Sequence, residues 1–406
     1  MALAADALGI KSISEYVRHL HHQSELQVTN NRALYEIAPR AMYDESRLRT
    51  CFETPLGQAL LGDSLDLLLG GTAEHSVDLI VTSPPFGLVR KKSYGNEDAD
   101  EYCDWFRPFA EGFRRALKPN GSLVIDIGGA WKPGTPTRSL YHFELLVMLC
   151  KEYGFHLCQE HFWWNPSKLP TPAEWVNVRR VRVKDAVNCI WWLSKTPWPK
   201  ASNRRVLAPY SDSMHDLLKN GYSARLRPSG HDISDKFQTD NGGAVPPNLL
   251  AIANTESSGK YQDHCRRNNL EIHPARFPAQ LPEYFIRMLT NVGDLVVDPF
   301  AGSCVTGAVA ERLRRRWTCV ELSESYLLGA KGRFADGVAQ NGIAKNVQYS
   351  IRPPCALDLD NDNVPLADDG GQCRPAVMAK ADRPPMRSRE SKLKSRVVSK
   401  KKSFET

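Results

Sequence analysis

The sequence predicts an α/β fold built on a mainly parallel β-sheet. Short apolar runs of strand length recur along the chain, among them 77–82 (VDLIVT), 295–300 (LVVDPF) and 317–322 (WTCVEL). Stretches with helical spacing of apolar residues alternate with them. Strand and helix in alternation give parallel strands joined by crossovers, with helices covering both sheet faces.

In chain order, 77–82 is a buried strand ending in a Pro-Pro turn. Residues 99–117 have helical spacing, stopped by Lys118-Pro119-Asn120-Gly121, and SLVIDIG follows as a strand. Residues 138–153 form a helix closed by Gly154, because glycine accepts the left-handed backbone a helix end favours. FHLCQEHFWW and NCIWWLS are the next strands, the second with Trp191 and Trp192 in the core. Residues 198–270 are rich in Pro, Gly, Ser and Asn, with weak periodicity, and read as loop-rich. Beyond them come a strand at 295–300, a helix at 306–315, a strand at 317–322 and a helix in SESYLLGAKGRF. Two α/β blocks, about 55–195 and 275–335, thus flank an insert, and only together do they make a full sheet.

At 406 residues the chain suits one large α/β domain with appendages or two ordinary domains. Its 42% hydrophobic and 24% charged content argues against collagen-like, coiled-coil or wholly disordered chains. No apolar run reaches the roughly 18 residues of a membrane span. The start, MALAADALGIKSISEY, lacks basic residues before its apolar stretch and carries Asp6 within it, so no signal peptide is expected. Ten scattered cysteines without a CxxC pair predict reduced thiols in a cytoplasmic protein, with neither a disulfide framework nor a zinc site. His19, His21 and His22 read as a solvated helix face, so no metal is expected.

The net charge of +7 is uneven. Residues 381–406 carry nine basic and three acidic residues, net +6, which leaves +1 for residues 1–380. That tail follows a stretch containing Asp358, Asp360, Asp362, Asp368 and Asp369, and the two read as a disordered acidic-then-basic terminus. A second basic concentration spans 165–205, interleaved with Trp175, Trp191, Trp192 and Trp198. Within it Lys168, Arg179, Arg180, Arg182 and Lys184 are candidates for contact with nucleic-acid phosphates.

Two motifs carry chemistry. Thr82-Ser83-Pro84-Pro85-Phe86 follows a buried strand, where open α/β sheets build their sites. The prolines remove two N–H donors from the rim and stiffen the turn, leaving the Ser83 hydroxyl and nearby carbonyls as acceptors beside an aromatic ring. That set suits an exocyclic amino group on a base. Other Pro-Pro pairs, at 246–247, 353–354 and 384–385, follow no buried strand. The second motif, Asp298-Pro299-Phe300-Ala301-Gly302-Ser303-Cys304, joins strand to helix, and Glu321 ends the next strand 19 residues after Gly302. Loop, helix, strand and acid in that order match a site for a nucleoside-containing cofactor.

At these residues the chain resembles the amino-group DNA methyltransferases that use S-adenosyl-L-methionine. Ser83–Phe86 resembles their catalytic motif and Asp298–Gly302 their cofactor motif. A catalytic motif ahead of the cofactor motif resembles the circularly permuted group, and Ser in the first catalytic position its cytosine-N4 members. Gly62-Asp63-Ser64, Arg90–Asn96, Asn165–Pro170, Arg179–Asn188 and His273–Pro278 extend the likeness over about 55–335.

The resemblance implies a Rossmann-like methyltransferase sheet with permuted motif order and a loop-rich target-recognition insert. It places an N-terminal extension at 1–50, a catalytic half at 51–197, the insert at 198–270 together with 165–185, a cofactor-binding half at 271–350 and the tail at 351–406. It implies base flipping and direct methyl transfer to cytosine N4 in double-stranded DNA, with CAGCTG suggested as target. A cognate restriction endonuclease is then a functional partner without a stable complex. Ser83, Pro84, Pro85 and Phe86 are the implied catalytic residues. Asp298, Phe300, Gly302, Ser303, Glu321, Asp63 and Phe277 are the implied cofactor residues. The Cβ of Cys304 is expected to crowd the methionine end of the cofactor, and Lys91–Asn96 reads equally as a loop near the flipped base or a surface turn. The alternatives are adenine-N6 methylation and an inactive DNA-binding relative. Cytosine-C5 chemistry needs a cysteine nucleophile, and the only Pro-Cys pair, Pro354-Cys355, lies in the acidic stretch.

Overall fold

The computed structural model describes residues 42–72, 74–87, 98–221, 239–255 and 259–334. Residues 1–41 with their histidines, the segment 91–96, residues 222–238 and 256–258 of the insert, and the charged tail lie outside the described residues. Nine strands form one sheet: β1 (Arg49–Thr54), β2 (Gly57–Leu61), β3 (Val77–Thr82), β4 (Leu117–Ile127), β5 (His156–Trp164), β6 (Val187–Ser194), β7 (Leu249–Ala251), β8 (Leu295–Asp298) and β9 (Arg316–Glu321). Their spatial order is β1-β2-β9-β8-β3-β4-β6-β5-β7. From β2 through β4 every pairing is parallel. β1 and β6 run antiparallel to their neighbours, and β7 pairs parallel with β5.

Among the described residues seven α-helices accompany the sheet: α1 (Tyr102–Ala116), α2 (Tyr141–Lys151), α3 (Asp212–Asn220), α4 (Lys260–Arg267), α5 (Gln280–Leu289), α6 (Val305–Arg312) and α7 (Glu324–Ala330). All six residues of β3 are buried, because the strand lies mid-sheet with apolar layers on both faces. Its side chains alternate as a pleated strand requires. Ile80 packs with Tyr102, Phe106, Phe113 and Tyr141 of α1 and α2, whereas Leu79 and Val81 pack with Phe285, Leu289 and Val309 of α5 and α6. Trp191 is 2% exposed and belongs to the core as expected.

The sequence signals missed the β1–β2 hairpin and β7. β7 has three residues, too few to show a period, and lies in the segment read as loop-rich. α3 and α4 also fall there, so the part of 198–270 that is described carries more regular structure than its composition suggests. Among the described residues no helix is long and apolar enough to cross a membrane.

Candidate active site

Because β2, β9, β8, β3 and β4 are parallel, their carboxyl ends share one edge of the sheet, and a cavity of about 810 Å³ opens there. Ser83, Pro84, Pro85 and Phe86 enter it from the end of β3. Phe300, Gly302 and Ser303 come from the turn after β8, and Glu321 from the end of β9. Asp63 follows β2, and Phe277 comes from the segment before α5.

The Ser83 turn is held from two sides. The Tyr102 hydroxyl donates to the Pro85 carbonyl at 2.8 Å. The Phe86 ring lies over Gly128, where an added Cβ would fall 2.5 Å from the ring. The Tyr141 hydroxyl donates to the carbonyl of the same glycine. Ser83 Oγ donates to Asp126 Oδ2 at 3.1 Å, and Asn188 Nδ2 donates to the other carboxylate oxygen at 3.1 Å. With its proton directed at Asp126, the serine oxygen presents lone pairs to the cavity. Burial pushes the Asp126 carboxyl up to about 6, against the pull of the Asn188 and Ser83 hydrogen bonds.

On the other side, Gly302 takes a left-handed φ of +51° that brings its backbone against His273, whose Nε2 would lie 3.0 Å from an added Cβ. Gly302 N donates to Glu321 Oε2 at 2.8 Å and Ser323 N to Oε1 at 3.0 Å. Each Glu321 oxygen therefore keeps acceptor capacity for hydroxyl donors, which fits the ribose of a nucleoside cofactor. Burial raises the Glu321 carboxyl above its ordinary range. Phe300 packs on Phe109 and Trp105, with ring centroids 4.9 and 5.9 Å away, giving this end an apolar wall. Asp63 accepts from Leu65 N at 2.9 Å while lining the cavity, so it caps the following turn and borders the site at once.

Two expectations are corrected. Asp298 does not line the cavity: it is 1% exposed, and its carboxylate accepts from Thr82 Oγ1 at 2.8 Å, Thr306 Oγ1 at 2.6 Å and Phe300 N at 3.2 Å. It ties the end of β3 to the turn after β8 and to the start of α6. Cys304, at φ +51°, is fully buried and packs in the core with Cys319, so its Cβ does not crowd the cavity.

Of the five basic candidates, only Lys168 lines the cavity. Arg179 pairs with Glu174 at 2.8 Å and lies 5.1 Å from the Trp175 ring centroid. Arg180 is exposed. Arg182 departs from the expectation of a phosphate contact, because it turns inward onto Asp185 at 2.9 Å with its side chain 16% exposed. Lys184 Nζ donates to the carbonyls of Pro166 and Lys168, at 3.2 and 3.0 Å.

Sequence reasoning missed Asp126, Asn188, Trp105 and Phe109 as members of the site. Asp126 is a polar residue inside an apolar strand, a signal that was present; the two α1 aromatics follow a helical core period and give none.

Fold and cavity together suit an enzyme that brings a hydroxyl-bearing ligand at Glu321 and an amino-bearing one at Ser83 together on the carboxyl edge of an α/β sheet. Residues 77–332 match the N6/N4 DNA methylase family model, and the chain belongs to that family. It is 51% identical over 316 residues to the type II methyltransferase M.PvuII of Proteus hauseri, covering 77% of this chain and 94% of that protein. To M.BglII of Bacillus subtilis it is 27% identical over 274 residues, 66% of this chain and 65% of that protein. The solved structure of the PvuII DNA methyltransferase (cytosine-N4-specific) superposes with a TM-score of 0.57 at 44% identity, over 73% of this chain and 91% of that one.

Proposed function

We infer that the chain is a cytosine-N4-specific DNA methyltransferase that modifies duplex DNA with S-adenosyl-L-methionine as donor. The Ser83–Asp126 hydrogen bond carries this reading, because it fixes a neutral acceptor oxygen where an exocyclic amine must sit. An amino nitrogen on a base is a poor nucleophile while its lone pair is delocalised into the ring. Ser83 Oγ and the Pro84 carbonyl accept its two hydrogens, which draws the lone pair out of conjugation. Phe86 stacks on the base, and Pro85, held by Tyr102, keeps the turn rigid. Orientation of the nitrogen by these groups supplies much of the acceleration.

S-adenosyl-L-methionine, when bound, supplies a methyl group activated by its sulfonium. Glu321 would hold its ribose hydroxyls, Phe300 and Gly302 would lie along the methionine and sulfonium, and Asp63, Ser303 and Phe277 would border it. The target cytosine must leave the helix, since its amino group is otherwise paired. Lys168, Arg179 and Arg180 attract the backbone, and the exposed Arg179–Glu174 pair is weak enough to exchange for a phosphate. The segments 198–270 and 165–185 carry target recognition, with CAGCTG as the proposed site. The protein acts in the cytoplasm, and a cognate restriction endonuclease is its functional partner.

Incubation with tritiated S-adenosyl-L-methionine and duplexes with or without CAGCTG, followed by nucleoside separation, tests this. N4-methylcytosine is the expected product. N6-methyladenine would overturn the assignment of Ser83, and equal labelling of both duplexes would overturn the target.

A further inference from the structure

We propose that Val183 and Leu169 form an apolar wedge that enters the duplex and fills the space left by the extruded cytosine. The proposal rests on the reading of a base in duplex DNA as substrate. Both ends of the segment that carries these residues belong to the cavity: Asn165 and Lys168 at its start, Ala186 and Asn188 at its finish. The segment therefore leaves and re-enters the cavity that Ser83 also lines.

Their pattern is inverted. Solubility alone would turn charge outward and valine inward. Here Arg182 is turned in, 16% exposed, bonded to Asp185 and with its Nη1 buried without a hydrogen-bond partner. Val181 and Val183 on either side are turned out, 61% and 86% exposed, and Leu169 is 76% exposed. Burying an incompletely satisfied guanidinium to expose valine is unfavourable for a free surface. It makes sense where the apolar side chains meet an apolar partner during function.

The rim is also pre-shaped. Lys184 Nζ bridges the carbonyls of Pro166 and Lys168, which sets the backbone after Val183 beside the backbone before Leu169. Asp185 N donates to the Thr171 carbonyl at 3.0 Å, and Asp185 accepts from Arg138 at 2.8 Å as well as from Arg182. A wedge must hold its form against stacked bases, and this one is tied at its root. The flanking Arg179 and Arg180 suit the phosphates on either side of an opened step. Extrusion of a paired base costs a few kcal/mol, and apolar side chains inserted at a base step offset that cost.

The test compares Leu169→Ala/Val183→Ala with the parent chain on two duplexes, one with the target cytosine paired to guanine and one with it facing an abasic site. Methylation of the paired duplex is expected to fall roughly tenfold or more, while the unpaired target stays within about twofold. The fluorescence rise of 2-aminopurine at the target position should be lost in parallel. Equal losses on both duplexes, or no loss on the paired one, would overturn the wedge. Failure of the parent chain to make N4-methylcytosine on either duplex would instead overturn the activity on which it rests.

Discussion

Ser83 at the end of β3 and Asp126 on β4 are joined by a 3.1 Å hydrogen bond in which the serine is the donor. The direction matters more than the distance. A serine whose proton is engaged behind it can only accept from what lies in front, and the carboxylate that engages it is itself 5% exposed.

Replacement of either partner should therefore damage the same step. Asp126→Asn and Ser83→Ala are each expected to lower kcat about 10²-fold, and the double variant should lose little more than either alone. Calorimetric affinity for S-adenosyl-L-methionine should stay near that of the parent. Fully additive losses would show that the two residues act separately.

The same pair sets an acid limit. Asp126 titrates at about 6, above its ordinary carboxylate range because of burial. Above that pH the carboxylate accepts the serine proton and the site is competent. As pH falls through about 6 the carboxyl gains its own proton, can donate to Ser83, and turns the serine proton toward the cavity. The rate at saturating substrate should fall on the acid side with an apparent pKa near 6. Asp126→Asn should abolish that limb.

Glu321 accepts two backbone N–H groups and lines the cavity from the end of β9. Glu321→Gln puts a donor where two donors already converge, so affinity for S-adenosyl-L-methionine should weaken about tenfold or more. Isothermal titration would measure it, and unchanged affinity would remove Glu321 from the cofactor site.

Gly128→Ala would set a methyl group 2.5 Å from the Phe86 ring. The ring must move, and methyl transfer should fall about tenfold or more through the misplaced base. Affinity for S-adenosyl-L-methionine, measured separately, should not follow, because Gly128 does not line the cavity.

What the sequence made legible was local. Strand-then-turn segments identify Ser83–Phe86, Gly302 and Glu321 because strand, turn and functional residue are contiguous. Asp126 stands out as a polar residue in an apolar strand, but its role depends on which strand lies next to β4, and its partner is 43 positions away. Asp298 ends a strand like the others, yet its side chain points sideways to Thr82 and Thr306, a direction that spacing does not encode. Trp105 and Phe109 belong equally to a helix core and to the cavity wall, and Arg182 looked available only until Asp185 was placed beside it.

The bond between Thr82 and Asp298 spans 216 positions of the chain. During synthesis β3 emerges long before the β8 that will flank it, apolar on both faces and with one edge bare. Such an edge invites association with other chains until the far end arrives. A ribosome that stalls between the two strands would release a polypeptide bearing the Ser83 turn with no partner for it. The arrival of β8 thus covers that edge and supplies Asp298 to Thr82 in the same late event, and the yield of folded protein in the cell should depend on how quickly translation crosses the interval.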